Sequence, residues 1–239
     1  MKDRKFRGIV VRTVDYLESD RLLTVLTFED GMVTIKAKGV RKQKARLSYA
    51  ASQFFCGDFE CVSSRGRYIL TGAETLYDFS GLAEDLDKYY HACHFMDIAS
   101  SVVMEDHPDE EMLRFLLNSL HMLAKGQGSL VLLTAIFEFR TAVITGFSPS
   151  ISECAVCSKK TNSNVFSGSE GGFVCCARGT DTDEYVRKAL GEIVSADVRE
   201  LFTIKMPEES AVMLKKLSGE YIENVFDRRF RKLEQLNDF

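Results

Sequence analysis

The feature that most constrains the fold of this chain is a change of hydrophobic period between residues 77 and 82. Up to about Tyr77 the sequence consists of short runs rich in β-branched, leucine and aromatic residues, which are typical of β-strands. From Leu82 onward, apolar residues recur at three- and four-residue steps, which is typical of α-helices. The sequence therefore predicts a multidomain α+β protein, with a β domain at residues 1–80 and a helical domain at residues 81–239.

Five strands are predicted in the first domain. They are Phe6 to Val14, Leu22 to Phe28, Met32 to Lys38, Gln53 to Val62 and Tyr68 to Leu76. Asp30-Gly31 predicts a type I′ turn after the second strand, and Ser63 to Gly66 predicts a turn after the fourth. Five strands with a longer connection after the third suit a closed barrel of the OB type. The alternative is a five-stranded antiparallel sheet packed on the helices that follow.

Five helices are predicted in the second domain, and a long segment without helical period interrupts them. The helices are Leu82 to about Glu105, Met112 to Leu123, Leu130 to Ile144, Asp183 to Ile193 and Glu208 to Phe230. The interrupting segment, Ser150 to Thr182, is rich in Ser, Gly, Asn and Cys. Because structureless loops of this length are uncommon in compact proteins, the segment needs an organising element. We call it the cysteine module.

Four cysteines of this module form a candidate zinc site. Cys154 and Cys157 make a CxxC pair, and Cys175 and Cys176 follow eighteen residues later. Four thiolates can close a tetrahedral shell around a structural Zn²⁺ ion. The second pair departs from CxxC because Arg178 stands where its last cysteine would be. The fourth ligand is therefore either Cys176 or a residue from elsewhere, and the alternative to zinc is a degenerate knuckle or free thiols.

A run of positive charge in the first domain forms a candidate nucleic-acid contact. We call residues Lys36 to Arg46 the basic segment; its six cations, with no acid among them, are Lys36, Lys38, Arg41, Lys42, Lys44 and Arg46. Residues 1–80 carry 14 basic and 10 acidic side chains, whereas residues 81–239 carry 17 and 25. The third strand and the loop after it belong to the usual oligonucleotide face of an OB barrel. The alternative is a solvated charged loop that binds no nucleic acid.

Aromatic side chains able to stack on bases lie near the basic segment in sequence. They are Tyr16, Tyr49, Phe54 and Phe55. Their orientation does not follow from the sequence pattern.

Enzyme, export and membrane signals are missing from the sequence. It contains no phosphate-binding loop and no GxSxG elbow, and none of its four histidines stands in an HExxH frame. Cys93 between His91 and His94 could suggest a catalytic pair, but a core cysteine with histidines on the helix surface explains it better. Cys56 and Cys61 fall in a strand and are best explained as small buried residues. Because these enzyme motifs are missing, we expect a non-catalytic protein. We also expect it to be cytoplasmic, because the longest apolar stretch is too short for a bilayer.

In its order of parts the sequence resembles the bacterial RecO family of recombination mediators. The motifs that carry this resemblance are Gly8-Ile9-Val10-Val11, Lys38-Gly39-Val40-Arg41-Lys42, Cys154-Ala155-Val156-Cys157 and Gly171-Gly172-Phe173-Val174-Cys175. The resemblance covers essentially the whole chain. It rests on the sequential combination, since none of the motifs is highly specific by itself.

The resemblance implies a role in the RecF pathway of DNA repair and recombination. Such proteins bind single- and double-stranded DNA, anneal complementary strands, and load RecA with RecR onto DNA covered by single-strand-binding protein. The implied DNA contacts here are Lys38, Arg41 and Lys42, with Lys44 and Arg46 beside them. The implied location is the bacterial nucleoid. A four-residue cluster, Arg228, Arg229, Arg231 and Lys232, could meet the acidic C-terminal tail of single-strand-binding protein; stabilisation by the helix dipole is the simpler explanation of that cluster.

The sequence is also compatible with two other classes of function. An OB and zinc module acting on RNA would differ by its preference for the 2′-OH. A protein-interaction scaffold would be indifferent to nucleic acid at any salt concentration.

Overall fold

The structure is a computed structural model that describes residues 2–64, 67–126 and 128–238. The chain forms two compact units, Met1–Ala124 and Lys125–Phe239. The first unit holds the β domain together with two helices. The predicted domain limits, residues 1–80 and 81–239, stay a prediction.

The β domain is a closed five-stranded barrel. Its strands are β1 (Lys2–Tyr16), β2 (Asp20–Thr27), β3 (Gly31–Ala37), β4 (Cys56–Ser64) and β5 (Arg67–Tyr77). They pair in the order β1-β2-β3-β5-β4, and β4 pairs back with β1. Only the β3–β5 pairing is parallel among the described strands of the barrel. The OB-type barrel is confirmed, and the open sheet is excluded because β1 pairs on both sides.

The barrel interior follows the two-residue period of its strands. In β3, Val33, Ile35 and Ala37 are buried, while Thr34 and Lys36 face outward. Gly8 lies where β1 pairs with both β2 and β4. A Cβ atom there would stand 2.1 Å from the carbonyl oxygen of Leu26, so only glycine permits this close approach.

The turn between β2 and β3 differs from the predicted type I′ turn. Gly31 has φ +64°, whereas Asp30 is not at positive φ, and a type I′ turn needs both. The loop is one residue longer because the Thr27 hydroxyl organises it. Its oxygen accepts the Asp30 N–H at 3.1 Å, and its O–H donates to the Gly31 carbonyl at 2.9 Å. The predicted turn at Ser63 to Gly66 falls partly on residues 65 and 66, outside the described residues.

Two helices complete the first unit, α1 (Leu86–Val102) and α2 (Glu110–Lys125). Aspartates at the helix starts accept backbone N–H groups, as helix N-caps do: Asp85 from Lys88 at 3.1 Å and Asp109 from Met112 at 2.9 Å. The prediction that the α1 histidines lie on the helix surface is wrong. His91 and His94 are buried with Cys93, because α1 is covered on nearly all sides from residue 91 to residue 99.

The second unit contains the remaining helices. They are α3 (Leu130–Ile144), α4 (Glu184–Ser195), α5 (Val198–Leu201) and α6 (Glu208–Phe226). The predicted bounds of α3 are confirmed, and it is buried on most sides. The prediction that the last helix reaches Phe230 is wrong. It ends at Phe226 because Asp227 adopts the left-handed conformation, φ 46° and ψ 43°, which stops helical hydrogen bonding.

The cysteine module contains no helix, as expected, but it is not structureless. It forms a small sheet of β6 (Val165–Ser167), β7 (Gly172–Phe173) and β8 (Thr180–Asp181), in the order β7-β6-β8. The ring of Phe166 packs edge-on against the rings of Phe173 and of Phe139 in α3, with ring centres 5.4 Å and 5.9 Å apart, respectively. This aromatic contact anchors the module on the helices of its own unit.

The described residues also include short 3₁₀ helices at Tyr49–Ala51, Ser80–Ala83 and Glu234–Asp238. Among the described residues, no helix combines the length and the apolar character needed to cross a bilayer.

Candidate metal centre and candidate nucleic-acid interface

The four cysteines of the module lie together at one point. The sulfur atoms of Cys154, Cys157, Cys175 and Cys176 are all within 4.8 Å of one another. Cys154 Sγ is 3.7 Å from Cys176 Sγ, and Cys157 Sγ is 3.6 Å from Cys175 Sγ. The backbone bends immediately after β7, and this bend directs both adjacent sulfurs to the cluster. The structure thus brings Cys176 to the position that the sequence argument left open.

The thiols of this cluster have divergent acidities. Backbone N–H groups of Cys157 and Cys175 lower the pKa of the Cys154 thiol to about 5. The Cys175 N–H lies 3.3 Å from the Cys154 sulfur. Hydrogen bonding of the Cys176 thiol to the sulfurs of Cys157 and Cys154 raises its pKa to about 12, because it stabilises the protonated form and because those sulfurs repel a further negative charge. One thiol of the cluster therefore favours its thiolate form, whereas another favours its protonated form.

The donor set and its spacing fit a tetrahedral zinc ion. Around a zinc ion with sulfurs about 2.3 Å away, neighbouring sulfurs are about 3.8 Å apart. Two of the sulfur pairs, Cys157–Cys175 at 3.6 Å and Cys154–Cys176 at 3.7 Å, match that edge. Three of the four cysteines are exposed and Cys154 is buried, so an ion would be reachable from solvent.

Arg187 of α4 supports the loops that carry the cysteines. Its guanidinium donates to the carbonyl oxygens of Ile151 and Thr161, both at 2.7 Å, and to that of Ser163. It also stacks over the ring of Phe173 at 4.3 Å. One planar side chain therefore holds three loop carbonyls beneath the cluster. Sequence reasoning missed this residue, because nothing in the helical pattern around Arg187 marks it as an inward-facing cation.

The basic segment is an ordered succession of turns beside the β1–β2 turn. Gly39 takes φ +66°, and its N–H donates to the Asp20 carboxylate at 2.8 Å. The Arg41 N–H donates to the Ser19 carbonyl at 3.0 Å. Two further turns follow. In them the Ala45 N–H donates to the Lys42 carbonyl, and the Ser48 N–H donates to the Ala45 carbonyl. The cations are therefore displayed on a fixed backbone.

Three of the six cations are engaged within the barrel. Lys36 pairs with Asp20 at 2.9 Å and lies 4.6 Å from the ring centre of Tyr16. Arg41 pairs with the Asp15 carboxylate at 3.1 Å. Arg46 donates to the Thr71 carbonyl at 3.3 Å.

The other three cations are available to an external anion. Lys38, Lys42 and Lys44 are exposed, and their side-chain ammonium groups make no hydrogen bond or ion pair among residues 2–64, 67–126 and 128–238. Six charges that look equivalent in sequence thus divide into two groups. Sequence reasoning could not separate them, because the partner carboxylates Asp15 and Asp20 lie on the preceding hairpin.

The aromatic residues near the basic segment also divide in two. Phe54 and Phe55 are buried in the first unit, with 2% and 8% exposure, so they cannot stack on a ligand. Tyr16 and Tyr49 are exposed. The Tyr49 hydroxyl donates to the Ala73 carbonyl at 2.7 Å, which fixes that ring.

The barrel, the helices and the four-cysteine module define a protein with an OB-type β domain and a helical part that carries a zinc-finger-like insertion. The family model described as "Recombination protein O N terminal" matches residues 1–79. The model described as "Recombination protein O C terminal" matches residues 83–234. The chain therefore belongs to the RecO family of DNA repair proteins.

Curated relatives agree over nearly the full length. The chain is 30% identical over 239 residues to a DNA repair protein RecO of Acetivibrio thermocellus, covering 96% of this chain and 94% of the relative. It is 28% identical over 226 residues to the DNA repair protein RecO of Bacillus subtilis, and this match covers 92% of this chain and 88% of the relative. The resemblance stated from the sequence is confirmed.

Proposed function

We propose that this protein binds single- and double-stranded DNA through its phosphates along the basic segment and anneals complementary strands. The observation that carries this proposal is the set of free cations, Lys38, Lys42 and Lys44, on an ordered connection of an OB-type barrel. Membership of a family of DNA repair proteins supports DNA as the polyanion.

Annealing requires two polyanions to be held close enough to pair. A cationic surface screens their mutual repulsion, and phosphate contacts carry no sequence preference. Flexible lysines on a fixed backbone suit this task, since they follow a phosphate chain without enclosing the bases. Arg41, Lys36 and Arg46 contribute less directly in this proposal, because they already have partners within the barrel.

The partners proposed with this activity are RecR, RecA and single-strand-binding protein, and their support is family membership. With RecR, the protein would help to load RecA onto DNA covered by single-strand-binding protein, at the bacterial nucleoid in the cytoplasm. In this role it acts as a mediator without turnover chemistry of its own.

The proposed contact for the acidic tail of single-strand-binding protein is the cluster Arg228, Arg229, Arg231 and Lys232. All four are exposed and follow the end of α6 at Phe226. Arg228 stacks over Phe230 at 5.3 Å. The cluster directly follows the C-terminal end of α6, so stabilisation by the helix dipole stays the alternative explanation of these charges.

DNA binding is tested by fluorescence anisotropy of a labelled single-stranded oligonucleotide at several salt concentrations. Each phosphate contact on a single strand contributes about 0.7 to the slope of log affinity against log salt. Replacing Lys38, Lys42 and Lys44 with alanine should therefore reduce the slope by about 2. A control variant with Lys188, Lys205 and Lys216 changed to alanine removes the same charge from exposed lysines of the second unit and should keep the slope.

Three outcomes contradict the proposal in different ways. Equal salt slopes in the wild type, the basic-segment variant and the control variant would mean that the DNA contact lies outside the basic segment. Preference for an RNA competitor of the same sequence favours the RNA-binding function, because only RNA offers the 2′-OH. Absence of binding at low salt favours the protein-interaction scaffold.

We further propose that Cys154, Cys157, Cys175 and Cys176 hold a structural Zn²⁺ ion. When bound, the metal would neutralise the clustered thiolates and fasten the two cysteine-bearing loops to each other. Metal analysis of the purified protein should give about one zinc per chain. Replacing Cys176 with alanine should abolish binding, while replacing Cys61, a buried barrel cysteine, should preserve it. Retained zinc in the Cys176→Ala variant would contradict its role as fourth ligand.

A further inference from the structure

We propose that Leu17 is a wedge whose side chain inserts between adjacent bases of a DNA strand bound along the basic segment. Leu17 is the first residue of the turn between β1 and β2. This inference rests on the proposed DNA binding and assigns a second, apolar component to that site.

Neither the turn geometry nor the packing of the barrel explains a leucine at this position. Leu17 has φ +55°, a left-handed conformation that is strained for a residue with a Cβ atom. Gly, Asn or Asp would adopt it more easily. Its side chain is also 70% exposed, the highest exposure of any large apolar side chain among the described residues, so burial does not offset that strain.

The Leu17 turn is fastened directly to the basic segment. The Arg41 guanidinium lies 3.5 Å from the Leu17 carbonyl oxygen and 3.3 Å from that of Glu18. The same guanidinium pairs with Asp15, and the Arg41 N–H donates to the Ser19 carbonyl at 3.0 Å. Residues 15 to 19 and the start of the basic segment therefore form one rigid surface.

A DNA strand that follows Lys38 and Lys42 would pass beside this turn. Both lysines are near Arg41 in the chain, and among the described residues their side chains make no hydrogen bond or ion pair. Their charges attract the phosphates, and the bases of a single strand are then within reach of the exposed Leu17 side chain. The turn also carries Asp15, Glu18 and Asp20, but Arg41 and Lys36 pair with Asp15 and Asp20, so Lys38 and Lys42 leave the surface with a positive excess. That excess beside an isolated, strained apolar group favours a nucleic acid over a protein partner.

The chemistry of leucine suits separation of bases without recognition of sequence. Its side chain has no hydrogen-bond donor or acceptor, and apolar wedges of this kind unstack adjacent bases. An unstacked base keeps its Watson–Crick edge free. A strand interrupted in this way would present unpaired edges to an incoming complementary strand, as annealing requires.

The test uses the full-length protein and a single-stranded oligonucleotide with one 2-aminopurine in an adenine run. The fluorescence of 2-aminopurine rises when its stacking is broken, so the enhancement at saturation reports unstacking. Leu17→Ala should reduce this enhancement by about half or more. Leu86→Ala, at a leucine that is 54% exposed at the start of α1, is the matched control and should leave it unchanged.

Anisotropy titrations of the same proteins separate this inference from the proposed DNA binding. The salt slope of Leu17→Ala should equal that of the wild type, because no cation is removed. Leu17→Asn relieves the backbone strain, so it should raise thermal stability and still lose the enhancement, which excludes misfolding as the cause.

Equal 2-aminopurine enhancement in wild type and Leu17→Ala, with normal salt slopes, would refute the wedge and leave the proposed function intact. The exposed Leu17 side chain would then be assigned to a contact with a partner protein. Failure of the wild type to bind the oligonucleotide at low salt would refute both.

Discussion

Glu138 of α3 offers a quantitative test of the packing of the second unit. It is 1% exposed, lies 3.1 Å from Lys215 of α6 and accepts a hydrogen bond from Ser218. Lys215 is 24% exposed at its side chain, so it can reach water while Glu138 cannot. Removing the cation therefore leaves a buried carboxylate with reduced compensation.

We expect the two single substitutions of this pair to be unequal. Lys215→Met should lower the free energy of unfolding by about 3 kcal/mol or more, as for other buried pairs that lose one partner. Glu138→Gln should cost about 1–2 kcal/mol, because the amide still accepts the Ser218 hydrogen bond and Lys215 turns to solvent. The double variant Glu138→Leu, Lys215→Met should lie within about 1 kcal/mol of the wild type, since it buries no charge.

Urea unfolding followed by far-UV circular dichroism at pH 7 measures all three variants. The exposed pair Arg114–Glu110 on α2, with side chains 66% and 61% exposed, is the control. Arg114→Met should cost less than about 0.5 kcal/mol. If Lys215→Met costs no more than Arg114→Met, or if the double variant is no more stable than Lys215→Met alone, the burial argument is refuted.

Three further predictions concern the cysteine module, the barrel and pH. Arg187→Met should weaken zinc affinity by about tenfold or more, as for other groups that orient metal ligands, and a chelator competition titration measures this. Gly8→Ala should destabilise the first unit by about 3 kcal/mol, because the new Cβ meets the Leu26 carbonyl; an unchanged urea midpoint would contradict this. Burial raises the pKa of Cys56 and of Cys61 to about 12. Since these pKa values lie above that of an unfolded thiol, the resulting stability is complete below about pH 8.5 and is lost as pH rises toward 12. At pH 10 each thiol should account for about 2 kcal/mol of lost stability, and a Cys56→Ala variant should show a flatter pH profile in urea unfolding.

The strand part of the fold could be predicted because alternation is a local property. In β3 the alternation of Val33, Ile35 and Ala37 with polar residues set the buried face, and the structure confirms it. The Thr27 hydroxyl illustrates what such local patterns omit. It lengthens the following loop through two hydrogen bonds, and no dipeptide preference contains that information.

The helical part was predictable where periodicity was strong and less so at its ends. α3 was predicted with its observed bounds. The end of α6 was placed four residues too late, because continued charge after Phe226 gave no sign of the left-handed Asp227. The burial of His91 and His94 was also missed, since a helix covered on nearly all sides has no polar stripe to mark its surface.

The sequence by itself determined the classes of chemistry this protein can carry. The run from Lys36 to Arg46 required a solvated cationic surface, because so many like charges cannot be buried. The spacing from Cys154 to Cys176 identified a candidate metal site. Both conclusions depend only on residue type and local spacing.

Only the tertiary structure decided which of these groups are available and how they are held. Asp15 and Asp20 pair with Arg41 and Lys36 across the barrel hairpin, whereas the side chains of Lys38, Lys42 and Lys44 make no ion pair within the described part of the chain. The bend after β7 gathers the sulfur of Cys176 with the other three, and Arg187 fixes the loops beneath them. The physical reason is the same at both places. The partner of each group comes from a segment distant along the chain, and such contacts are set by folding, not by local sequence pattern.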